Sequence, residues 1–324
     1  MAMPKETSEA RSAHQRLELE PLDPQITSIQ PGGGACMQIE LAWGCLRRWY
    51  LRQFRPGYVR RMAALRRGEP EGCPHEALDP RDLKFYRNQT DCGWPSQDDP
   101  FQWRDRLPFA RAGLAELVLL GGGALVMAAI MAAIYWPLAV LPGALGLFVL
   151  WFFRNPRRTA PAEAGLVMSP ADGTIASIEE VEGEEFVEGS AVVIGIFLSV
   201  FNVHINRVPD AVRVIGASYR PGKFLNALRA VSARENEQLS VRLQAVDPPF
   251  RRMVVRQIAG AIARRIVCWV KPGDEMAVGE QFGMIKFGSR TELVLPREPG
   301  LRIEARLGQK VKAGTSVLAR YEGQ

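Results

Sequence analysis

The sequence predicts an α+β protein in which a transmembrane helical hairpin precedes a compact, β-rich domain. Two observations carry that expectation. No charged residue occurs from Leu117 to Phe153. After Arg158, short β-branched runs alternate with Gly and Pro, the pattern of closely spaced strands.

Residues 1–36 are polar, contain Pro31 and the run Gly32-Gly33-Gly34, and are expected to be a disordered tail. They lack the apolar core of a signal peptide. Met37 is a candidate alternative start. Residues 37–110 form a basic, aromatic segment of unassigned role. Arg47, Arg48, Arg52, Arg55, Arg60 and Arg61 are interleaved with Trp43, Trp49, Tyr50, Phe54 and Tyr58. Two readings stand side by side: a segment lying on an anionic membrane surface, and a small helical cap with a solvated basic face. The net charge of +6 suits an anionic partner, but no nucleic-acid-binding motif accompanies it. The five cysteines are odd in number and loosely spaced, as expected of reduced thiols. Cys73, His75 and Cys92 lack the paired spacing of a zinc site, and no metal is expected.

The uncharged run of 37 residues lies in the segment 111–155. As one helix it would extend ~55 Å, against a hydrocarbon core of ~30 Å. Pro137, Pro142 and Gly143 sit where a turn between two shorter passes would fall. Arg104, Arg106 and Arg111 precede the run and Arg154, Arg157 and Arg158 follow it, which places both ends on the cytoplasmic side of a cell membrane. The alternative is a buried helical pair in a soluble protein.

Residues 156–324 carry the strand patterns GTIASIEEV, SAVVIGIFLSV, VRVIGASY, IVCWV, TELVLP and SVLARY, with MVVRQIAGAIARRIVCWV ambiguous between strand and helix. VKPGDEMAVGEQFG and LGQKVKAGTSVLA echo each other, each with a Gly turn before a strand and a second Gly after it. Similar turns occur in the flattened barrel-sandwich of biotinyl and lipoyl carriers, and that character is expected here.

Four clusters bear chemistry: Ser169-Pro170-Ala171-Asp172-Gly173, the run from Phe201 to Pro209, the run from Pro221 to Glu237, and the run from Gly283 to Arg290. His204 is the only histidine after the apolar run. Read alone, it is equally a hydrogen-bonded structural residue, Asp172 a turn residue, and Gly288-Ser289 a turn between strands.

Residues 152–324 resemble phosphatidylserine decarboxylases, through FFRNPRR, SPADG, FNVHINRVP, VRQIAGAIARRIV and FGSR in the family's order. The resemblance does not reach residues 1–110. It implies a pyruvoyl-dependent proenzyme that cuts itself between Gly288 and Ser289, turns Ser289 into a covalent pyruvoyl cofactor, and decarboxylates phosphatidylserine to phosphatidylethanolamine through a Schiff base. The two chains are then expected to stay associated, with homo-oligomerisation left open. It implies His204 as the base and Asp172 as its support. Many relatives carry two histidines three apart; here the second position is Arg207, as in the shorter form of the family. Lys223, Arg256, Arg264 and Arg265 are candidates for the substrate phosphate. The rival reading is a membrane-anchored carrier or scaffold with Lys286 as its modified lysine.

Overall fold

A computed structural model of the protein describes residues 16–68, 75, 79–94, 97, 102–161, 163–226, 231–261, 265–286 and 288–322. Three helices build the N-terminal segment: α1 (Ala35–Phe54), α2 (Pro56–Leu65) and α3 (Pro80–Tyr86). Asp79 and Asp82 form a capping box that starts α3. The same carboxylates pin α1, because Arg47 donates to Asp79 at 2.6 Å and Arg48 to Asp82 at 2.8 Å. Along one side of α1, Ile39, Trp43, Leu46, Tyr50 and Phe54 are exposed.

Residues 16–34 are packed rather than loose, which corrects the expectation for that part of the tail. Ile26 and Ile29 are buried apolar anchors, and Ile29 accepts a bond from the Cys268 amide at 2.8 Å. Residues 1–15 lie outside the described residues.

Next come two apolar helices, α4 (Arg111–Ile134) and α5 (Trp136–Phe152). The first has a mean hydropathy of 2.5 over its most apolar window. At 24 residues it extends about 36 Å, long enough to cross a bilayer. Within it, Leu117–Gly122 takes a wider π turn. Gly121 faces Val149, and a Cβ on Gly146 would lie 2.7 Å from Leu125. Small residues thus let α4 and α5 approach closely.

The strands are β1 (Leu166–Met168), β2 (Gly173–Glu184), β3 (Gly189–Leu198), β4 (Ile205–Arg207), β5 (Val212–Arg220), β6 (Gln238–Ala245) and β7 (Arg252–Ala259). They continue as β8 (Arg265–Cys268), β9 (Glu275–Met276), β10 (Gln281–Lys286), β11 (Ser289–Pro296), β12 (Leu301–Ile303), β13 (Lys310–Val311) and β14 (Val317–Tyr321). An eight-stranded sheet has the order β13-β2-β3-β11-β7-β6-β5-β9, and two three-stranded sheets run β1-β14-β12 and β4-β10-β8. The ambiguous stretch resolves into β7 and β8, since its Val and Ile residues fill the core between sheets.

The two echoing segments meet. Gly279 and Gly314 each have positive φ, and a Cβ on Gly314 would stand 3.2 Å from the Cα of Gly279. The second glycine of each repeat is therefore where the two backbones touch, a contact that any side chain would open.

Candidate active site

β11 lies between β3 and β7 and is buried along its whole length. Ser289 opens it, opposite Leu198 on one side and Ala259 on the other. Its side chain is fully buried, and its Oγ has no hydrogen-bond partner among the described residues. A buried hydroxyl without a partner costs roughly 1–3 kcal/mol, so it is an exception that calls for a use. Gly288, just before it, has φ of 72°, a left-handed conformation that glycine takes without strain.

His204 stands over this junction. The Gly288 amide donates to its Nε2 at 3.1 Å. Its Nδ1 is 2.9 Å from the carbonyl oxygen of Asn202. A carbonyl only accepts, so Nδ1 carries the proton and the Nε2 lone pair accepts from the Gly288 amide, one peptide unit before the Gly288-Ser289 bond. The ring packs on Phe152 at 4.5 Å between centroids and is fully buried. Burial pushes its pKa down to about 4, which leaves a neutral imidazole at pH 7. Phe152 closes α5, and the Arg154 side chain beyond it donates to the Phe201 carbonyl at 2.8 Å. The end of the apolar helix is thereby fastened to the loop that carries the histidine.

Asp172 is not the hydrogen-bond partner of His204. Arg158 grips its carboxylate with two guanidinium nitrogens, one at 2.7 Å, and the Ala313 amide donates to it at 2.8 Å. A two-point charged contact outcompetes an imidazole N–H, which is satisfied instead by its own chain at Asn202. Asp172 acts on His204 only through space, as a minor influence that raises its pKa.

A buried polar chain lies on the Ser289 side of β11. Gln257 donates to Asn206 at 2.9 Å and Asn206 to Thr291 at 3.1 Å. Thr291 shares a face with Ser289 because side chains alternate along a strand.

Of the cations expected to hold a phosphate, the three among the described residues do not gather at Ser289. Arg256 sits directly opposite Glu292, and strand alternation puts both on the face away from Ser289; it pairs with Glu184 at 2.7 Å. Lys223 is exposed and pairs with Glu235 at 2.9 Å. Arg265 turns to Gly34 in the N-terminal segment. Arg264 lies outside the described residues. Of the cysteine and histidine group, Cys73 also lies outside them, while His75 stands 3.5 Å from Asp82.

Lys286 is buried and ion-paired with Glu116 of α4, with Gln30 beside it at 3.4 Å. A carrier lysine must be accessible, so the modified-lysine reading fails. Asn202, Arg158 and Phe152 escaped the sequence reading as site residues, although all three lie within the motifs FNVHINRVP and FFRNPRR.

Comparison with known proteins shows the family. The family model for phosphatidylserine decarboxylase matches residues 145–319, over half of the chain. A phosphatidylserine decarboxylase proenzyme of Rhodopirellula baltica is 52% identical over 240 residues, 74% of this chain and 99% of that protein. Proenzymes of the same name from Symbiobacterium thermophilum and Carboxydothermus hydrogenoformans are 45% and 42% identical, over 61% and 68% of this chain and 91% and 100% of their own lengths. With the Gly-Ser junction, its neutral histidine and these matches in hand, the chain belongs to the phosphatidylserine decarboxylase family.

Proposed function

We propose that the chain is a membrane-anchored phosphatidylserine decarboxylase, a lyase that releases CO2 and phosphatidylethanolamine, with a pyruvoyl group made from its own Ser289. The observation that carries this is the unpartnered, buried hydroxyl of Ser289 beside a left-handed Gly288 whose amide rests on the lone pair of a neutral His204. A hydroxyl needs an adjacent base to act as a nucleophile, and His204 Nε2 is one peptide unit away.

In the first step Ser289 Oγ attacks the Gly288 carbonyl carbon, the Gly288–Ser289 C–N bond breaks, and an ester replaces the peptide. His204 takes the hydroxyl proton and returns it to the freed amine. Removal of the Ser289 α-proton then expels the Gly288 carboxylate by β-elimination. The remaining dehydroalanine takes up water and loses ammonia, leaving a ketone at the new N-terminus.

The site fits such a group: the Ser289 hydroxyl is already unsatisfied, and apolar Leu198 and Ala259 stand opposite it on the two neighbouring strands. The pyruvoyl carbonyl supplies an electron sink for the carbon that loses CO2. The residues of this chain do the rest. Asn202 fixes the imidazole tautomer, Phe152 keeps water from it, and the Arg158–Asp172 clamp holds the loop before β2. Chain 289–324 would stay attached, because β11 is hydrogen-bonded on both sides within the large sheet.

Helices α4 and α5 are read as a transmembrane hairpin with both ends in the cytoplasm, which sets His204 against the bilayer surface where the headgroup arrives. The exposed stripe on α1 supports an interfacial position for residues 37–110. The Gly279–Gly314 contact supports barrel-sandwich character in 156–324. The reading is tested by incubating full-length protein with phosphatidylserine vesicles. Phosphatidylethanolamine should form with the wild type and not with Ser289→Ala, and His204→Ala should lose about 10²–10⁴-fold in rate. Product formed by Ser289→Ala at the wild-type rate would refute it.

A further inference from the structure

The chain leaves α5 at Phe152 and reaches its first charge after the apolar run at Arg154. The segment before α4 pins it there. The Ala110 amide donates to the Phe153 carbonyl and the Asn155 amide to the Pro108 carbonyl, each at 2.8 Å. The Arg154 guanidinium is held as firmly. Its Nη1 donates to the Trp151 carbonyl at 2.7 Å and its Nη2 to the Phe201 carbonyl at 2.8 Å, while its Cζ stands 4.0 Å from the centroid of the Trp151 ring.

These contacts orient the charge without cancelling it. Two carbonyls and an aromatic face are neutral, and Arg154 forms no ion pair among the described residues. The carboxylate that acts on it through space is Asp172, which Arg158 already grips with two nitrogens. Burial holds the pKa of Arg154 below its usual value; Asp172 works against that and Arg158 adds to it. A guanidinium has five N–H donors, so most of this fork is left for a ligand.

The loop that Arg154 grips carries the reaction centre. Val200 is the side chain nearest to a Cβ built at Gly288, 3.6 Å away. Phe201 follows, with its carbonyl on Arg154, and then Asn202, with its carbonyl on His204. Arg154 thus meets the loop between the residue facing Gly288 and the residue holding His204. Trp151 and Phe201 beside it are exposed, as aromatic side chains at headgroup level are.

In phosphatidylserine, four bonds separate the amine nitrogen from phosphorus. Once that amine joins the carbonyl carbon made from Ser289, the phosphodiester must lie close by, toward the bilayer that holds the acyl chains. A planar guanidinium matches two phosphate oxygens at once. We infer, resting on the proposed decarboxylase function, that Arg154 binds the phosphodiester of the substrate beside the reaction centre and so selects phosphorylated serine lipids.

The test compares two soluble substrates, dihexanoyl phosphatidylserine and its methyl phosphotriester, which keeps the amine and the carboxylate but has no charge on phosphate. Full-length protein in neutral detergent is assayed for CO2 release, and each rate is divided by the amount of pyruvoyl-bearing chain found by intact mass. The wild type should prefer the diester by about 10–100-fold in kcat/KM, mainly through KM, which is the worth of one hydrogen-bonded charge contact. Arg154→Gln should bring that ratio close to one. Arg154→Lys, which keeps the charge but not the fork, should fall between. Arg157→Gln, at an exposed arginine nearby, should keep the wild-type ratio. If Arg154 only fastens the loop, Arg154→Gln slows both substrates equally and the ratio survives. That result, or a wild type indifferent to the phosphate charge, would overturn the inference while leaving the decarboxylase in place. A wild type that releases CO2 from neither substrate would overturn the decarboxylase function as well.

Discussion

Replacing Glu116 by Gln should destabilise the protein far more than a surface substitution, because it strands a buried charge. Lys286 ends β10, two residues before Gly288, and its ammonium is held by Glu116 at the base of α4. Both side chains are almost inaccessible, at 5% and 9% exposure. Breaking such a pair costs about 3–5 kcal/mol, whereas replacing both members by apolar residues is often neutral. The remaining contact with Gln30, at 3.4 Å, is long and offsets little of the loss. At roughly 2–4 °C per kcal/mol for a domain of this size, a loss of about 3 kcal/mol lowers Tm by about 6–12 °C. Thermal unfolding is best followed in detergent on the Ser289→Ala background, where every molecule is a single chain. Glu116→Leu with Lys286→Met should recover most of the loss. A single mutant that melts within about 1 °C of its parent would refute the reasoning. So would a double mutant as unstable as the single.

Three further outcomes follow from the site. Self-cleavage needs the neutral form of His204, which exists above its pKa of about 4; the rate, followed by gel, should stay level from about pH 8 to pH 5 and fall only near pH 4. A midpoint near the ordinary imidazole value would contradict the burial argument. Gly288→Ala has room, since the new Cβ would meet Val200 at 3.6 Å and the Leu198 carbonyl oxygen at 3.9 Å, both ordinary contacts, but φ of 72° makes it strained by about 1–2 kcal/mol. That variant should fold and cleave more slowly, and cleavage at the wild-type rate would count against the role of the left-handed turn. Asp172→Asn breaks the clamp on Arg158 and should cost about 3 kcal/mol in denaturant unfolding. Because Asp172 raises the pKa of His204, the acid midpoint of cleavage should hold or move down; an upward shift would show a different relation between the two.

Much of this architecture was legible because local pattern and burial coincide. The β-branched runs became β2, β3, β5, β8, β11 and β14, and the uncharged run became α4 and α5. The two Gly turns of the internal echo were visible at equal spacing, though not that Gly279 would touch Gly314. What failed was whatever depends on distant partners. Nothing near Asp172 in the sequence says that Arg158 will capture it, nor that a backbone carbonyl two residues before His204 will hold the ring. Arg256 looked like a free cation until the register with Glu292 turned it away from Ser289. Glu116 and Lys286 lie 170 residues apart and carry no shared motif. In the tail, Ile26 and Ile29 were masked by polar neighbours, yet two well-placed apolar side chains suffice to dock a segment.

The intact mass of the purified wild-type protein under denaturing conditions tests the central claim most directly. Self-processing predicts two polypeptides in place of one of 36.0 kDa: residues 1–288 ending in a free carboxylate, and residues 289–324 beginning with a ketone that reacts with a carbonyl reagent. A single full-length species, unreactive toward that reagent and with serine intact at position 289, would contradict it.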